Sequence, residues 1–79
     1  MREYNNDELT MIKCNACGKE LKVLGGVLQE GCFHVDYPWG YFSRKDGVIH
    51  QFDLCENCYD QWIHLFRIPI EEKEMNEFL

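Results

Sequence analysis

The stretch Leu54 to Trp62, LCENCYDQW, decides how the chain is read. Two cysteines stand three apart, and the residues after them change from an alternating pattern to a helical one. Tyr59, Ile63 and Phe66 recur at helical spacing, with Trp62 and Leu65 widening the apolar stripe. Glu56 and Asp60 lie near the start of this helix and Arg67 near its end, as the helix dipole favours. Pro69 stops it, because the residue before a proline is biased out of the helical region. A CxxC pair at a helix start is open to three readings: a metal clamp, a redox pair, or part of a disulfide framework.

A second pair chooses among them. Cys14-Asn15-Ala16-Cys17, followed by Gly18, repeats the spacing far upstream. Two CxxC pairs suit a four-thiolate site, since a tetrahedral ion needs sulfurs about 2.3 Å away and two intervening residues let a pair reach one ion. Gly18 permits the left-handed turn of a knuckle whose amides point at sulfur. At Cys55 and Cys58 the free amides of a helix start do the same work. Five cysteines make an odd number, which suits a full disulfide scheme poorly. The opening MREYNNDELT has no apolar run, so a reducing, cytoplasmic location is expected, with no membrane span. A redox CxxC of the thioredoxin kind needs a βαβ setting and only one pair.

Between the pairs the chain alternates. Leu21 and Val23 suggest a short strand before a Gly25-Gly26 turn. In CFHVDY, Phe33, Val35 and Tyr37 share one face, and His34 and Asp36 the other; Pro38 interrupts or edges the strand. Aromatic and β-branched residues then flank SRKDG, and Asp46-Gly47 is a hairpin signal. On the return strand Val48, His50, Phe52 and Leu54 share a face, opposite Ile49, Gln51 and Asp53.

Knuckle, hairpin and ligand-bearing helix, carried by CNACGK, the DG turn and LCENCYDQWI, resemble the treble-clef zinc finger. The chain also resembles small uncharacterised bacterial zinc-finger proteins with a WGYFSxKDG hairpin and an LCExCYDxWI helix. The resemblance implies a small α+β, metal-stabilised fold with one structural zinc at Cys14, Cys17, Cys55 and Cys58, and it implies no activity. Iron is the alternative ion. Rubredoxin-like proteins hold it between two CxxC pairs, but normally in glycine-bearing knuckles, from which Tyr59-Asp60 departs. Residues 1–9 are expected as a loosely ordered tail, 10–70 as one zinc domain and 71–79 as an acidic tail, with Met75, Phe78 and Leu79 able to pack on the domain or on a second copy.

Composition bounds the role. The chain is 46% hydrophobic and 14% aromatic, enough for a core but too short to make a thick one, so a staple is expected. The formal charge of −6, concentrated in the two ends, lacks the broad footprint of a nucleic-acid binder. A protein-binding module without catalytic activity is expected. Trp39, Tyr41, Phe42 and Trp62 are candidates for contact, although most such aromatics serve the core. The alternative is a nucleic-acid-binding finger, with Arg44 and Lys45 at the hairpin tip and Lys13, Lys19 and Lys22 near the knuckle. For an enzyme only His34, His50 and Asp53 stand out, and their spacing matches no known constellation; four thiolates close the metal shell against catalysis. Cys32 reads as a small buried hydrophobe, with a reactive or dimer-linking thiol as its alternative, and Cys32-x-His34 as a weak hint of a second metal. His50 reads as a structural histidine and His64 as an exposed one.

Overall fold

The computed structural model describes residues 1–75. Strands β1 (Arg2–Asn5) and β2 (Glu8–Lys13) form a tight antiparallel hairpin, and β3 (Glu20–Leu21) adds to the other side of β2. Strands β4 (Val23–Leu24) and β5 (Val27–Leu28) make a small second hairpin. Strands β6 (Cys32–Pro38) and β7 (Ile49–Cys55) form the longest one, and α1 (Glu56–Ile63) follows β7 without a break.

The first hairpin corrects the expectation for residues 1–9. They are not a loose tail; they hold β1 and the start of β2. Asn6 and Asp7 have φ of 51° and 67°, the paired left-handed conformation of a two-residue turn, which Asn and Asp tolerate best among non-glycine residues. The Gly25-Gly26 turn expected between β4 and β5 is present, with both φ positive.

The faces of β6 and β7 are as the alternation indicates. Phe33 pairs across with Leu54, Val35 with Phe52, and His34 with Asp53. The tip differs. Trp39 to Phe42 do not form a strand; β6 ends at Pro38, which has no N–H to continue the ladder, and residues 39–48 are a loop. Asp46-Gly47 does make a tight turn, with Val48 N donating to Lys45 O at 2.9 Å and Gly47 at φ 89°, but the turn lies inside that loop and does not join the strands directly. Trp39 N donates to Val48 O at 3.0 Å to close it, and Ser43 Oγ accepts from Lys45 N at 2.9 Å.

The helix is shorter than its apolar stripe suggests. Past Ile63, Leu65 N and Phe66 N donate three residues back, to Trp62 O and Ile63 O, so the chain tightens into a turn before Pro69. No side chain of α1 is fully buried. Its contact with the hairpin is aromatic: Phe33 stacks on Tyr59 with centroids 4.8 Å apart and reaches Trp62 at 6.1 Å. Residues 71–75 have no regular structure, and Met75 is exposed instead of packing on the domain. Phe78 and Leu79 lie outside the described residues. No helix of the described residues is long and apolar enough to cross a membrane.

Among the described residues, the buried apolar side chains are Ile12, Cys14, Leu21, Leu54 and Cys55. Two of these five are cysteines from different CxxC pairs, so the core is built around the place where the pairs meet.

Candidate metal centre

Four elements bring the pairs together. Cys14 leaves β2, Cys17 sits in the loop before β3, Cys55 ends β7 and Cys58 lies in the first turn of α1. The knuckle is closed by Cys14 N donating to Lys19 O and Gly18 N donating to Cys14 O, both at 2.9 Å, with Gly18 at φ 81°. Cys55 is the N-cap of α1, and its Sγ accepts from Cys58 N at 3.5 Å.

The four sulfurs lie within 4.8 Å of one another, and Cys17 Sγ is 3.9 Å from Cys55 Sγ. A tetrahedral ion about 2.3 Å from each thiolate would set sulfurs about 3.8 Å apart, so the donor set and its spacing fit one metal ion. Cys14 and Cys55 are buried, Cys58 half-buried and Cys17 exposed, giving a site closed on the core side and open at the knuckle.

The sulfurs of the cluster do not ionise alike. Burial raises the Cys14 thiol, but amides of Cys55, Cys17 and Ala16 aimed at its sulfur outweigh this and bring it down to about 6. Cys58 is pushed up to about 12, first by hydrogen bonding with the Cys55 and Cys17 thiols and then by burial. One sulfur ionises readily while its neighbour keeps a proton that it shares with the other thiols. A bound cation deprotonates coordinating thiols outright.

Two residues that alternation does not single out tie the halves of the centre together. Asp53, on the face expected to be polar, is 2% exposed. Its amide donates to Asn15 Oδ1 at 2.9 Å, and its carbonyl accepts from Asn15 N at 2.7 Å, clamping the knuckle to β7. Its carboxylate accepts from the Met1 amino group at 3.0 Å, Arg2 Nε at 3.0 Å and His34 Nδ1 at 2.8 Å. Burial pushes this carboxyl up, but hydrogen bonds from the amino terminus, His34 and Arg2 prevail and hold it at about 2. Asp53 alternates with apolar Phe52 and Leu54, so nothing in the local pattern marks it as buried; its partners lie far off in sequence.

The remaining candidates separate. Cys32 pairs across the strands with Cys55, but its Sγ turns to Asp53 Oδ1 at 3.5 Å, and burial and that carboxylate push its thiol up. Cys32 and His34 therefore converge on Asp53. The four cysteines are the one cluster of three or more metal-ligating side chains among the described residues. His50 sits on the other face of β7, exposed, where its Nδ1 accepts from Trp39 Nε1 at 3.2 Å. Near the knuckle, Lys19 is paired with Glu30 at 3.1 Å, and Glu30 also accepts from Lys22 N at 2.7 Å. Lys45 lies over the Trp39 ring, 4.6 Å from its centroid.

No protein-family model, curated protein or solved structure matches the chain. The four-cysteine cluster in a small α+β frame is therefore the firmest statement about what the molecule does: it is positioned to bind one metal ion.

Proposed function

We propose that this chain is a structural zinc module of the treble-clef kind that binds another protein and performs no catalysis. The observation that carries it is the convergence of four cysteine sulfurs, two from a glycine-bearing knuckle and two from a helix start, within 4.8 Å. Four thiolates suit zinc and complete its shell, leaving no open position for a reacting water. Knuckle, β6–β7 hairpin and α1 follow one another in treble-clef order. Binding of a protein is supported by the large apolar side chains left outside so small a core: Tyr41 and Leu65 are each 81% exposed, Phe42 97% and Ile68 80%. The nucleic-acid reading is weakened at the knuckle, where Glu30 neutralises Lys19.

Elemental analysis tests the metal directly. The purified chain should carry one zinc per molecule and be colourless; a red sample with iron absorbance would replace zinc by iron. Affinity capture from cells with the intact chain, compared with a Phe42→Ser, Leu65→Ser variant that keeps its zinc, tests the role. A partner held equally by both, or held only through oligonucleotide, would count against the protein-binding surface described here.

A further inference from the structure

The loop at the tip of the long hairpin is unlike the rest of this acidic chain. Tyr41 and Phe42 stand out from it almost fully exposed, packed only against each other with centroids 5.1 Å apart. Arg44 and Lys45 follow after Ser43, against the single acid Asp46. At the opposite end of the hairpin, α1 and the segment after Pro69 enclose an open hollow of about 670 Å³. Tyr59, Ile63 and Ile70 give it apolar walls; Asp60, Glu71, Glu72 and Glu74, against Lys73, give it an acidic rim. Among the described residues, neither Arg44 nor any of those rim glutamates takes part in a salt bridge.

We infer that the chain self-associates, the aromatic and basic loop of one copy seating in the acidic, apolar hollow of another. This rests on the protein-binding reading above and names the partner as a second copy. The two features complement each other in charge, two cations for the hollow's carboxylates, with the paired rings to set against Tyr59, Ile63 and Ile70. Within one copy, the seven residue pairs from Cys32↔Cys55 to Pro38↔Ile49 put about 20 Å of paired strand between the loop and the start of α1, and no loop side chain lines the hollow. Two copies lying antiparallel about a two-fold axis make both contacts at once, so the association closes as a dimer instead of propagating as a filament.

Sedimentation velocity on the zinc-loaded chain, over about 1 μM to about 500 μM, reads the association. A monomer–dimer equilibrium weakened by added salt is expected. Arg44→Glu with Lys45→Glu should raise the dissociation constant at least about tenfold, and Glu71→Lys with Glu72→Lys and Glu74→Lys should do the same. These positions are exposed, and zinc content with far-UV circular dichroism checks that each variant is folded. Mixing the two variants should restore a heterodimer, since each supplies the charge the other lost. A chain that stays monomeric throughout, a dimer indifferent to both charge sets, or a mixture that fails to pair would overturn the inference. So would a loop whose variants lose only oligonucleotide binding. If the monomer still captures a different protein, self-association fails alone and the protein-binding reading stands.

Discussion

The sulfur of Cys55 accepts the Cys58 amide while facing the other three cysteines, so one atom caps the helix and is one of the four positioned to bind a metal ion. Serine at this position can still cap a helix, but its hydroxyl is a poor replacement for a soft thiolate. Cys55→Ser should therefore lose zinc and the native fold, whereas Cys32→Ser, outside the cluster, should keep one zinc and melt within a few degrees of the parent. Zinc stoichiometry and thermal melts decide it, and equal damage from both would count against the ligand set. Asp53 makes a second residue-scale case. Asp53→Asn removes the buried charge that faces the Met1 amino group and Arg2, and should cost about 3 kcal/mol by denaturant titration, as broken buried pairs do. Because its carboxyl is held below the ordinary value, its contribution is complete above that value and is lost only as pH falls towards about 2. The stability gap between parent and Asp53→Asn should thus still be present at about pH 5 and shrink only as pH falls below the ordinary carboxylate range. A gap already closed at about pH 5 would assign the effect to another group.

At the scale of elements, α1 shows how little of a short helix is its own. Eight residues are too few to be stable in water, and no side chain here is fully buried. The helix is held at its N-terminus by the cysteine cluster and along its side by Phe33. Phe33→Ala should cost about 2 kcal/mol, about half the loss for a fully buried phenylalanine, with zinc retained. Unchanged stability would mean the aromatic contact holds nothing. The β1–β2 turn offers a parallel test. Asn6 is in the left-handed region, where a β-branched residue is strained, so Asn6→Val should destabilise by about 1–2 kcal/mol in the same titration.

Across the whole molecule, the metal centre and the core are one structure. Cys14 and Cys55 are two of the five buried apolar side chains, and the strands that carry them join at Asn15 and Asp53. Removing the metal ion this cluster is positioned to bind should therefore unfold the chain cooperatively, since binding and folding free energy are shared in such domains. Chelator titration should show helix and strand signals disappearing together. Loss of α1 alone, with the sheets intact, would place the core outside the metal's influence.

The sequence by itself determined what depends on near neighbours. CxxC spacing, a glycine after Cys17, the period change at Cys55, the two-sided strands and the Gly25-Gly26 turn all follow from backbone geometry within a few residues. Tertiary structure decided the rest. Asp53 is buried because Met1, Arg2, Asn15 and His34 gather around it from far along the chain, and residues 1–9 are ordered by the pairing of β1 with β2, with that carboxylate holding Met1 and Arg2. The fate of Trp39 to Phe42 was settled by strand pairing that stops at Pro38, leaving an aromatic loop where alternation suggests a strand. Near neighbours set conformation, but burial depends on partners that only folding brings close.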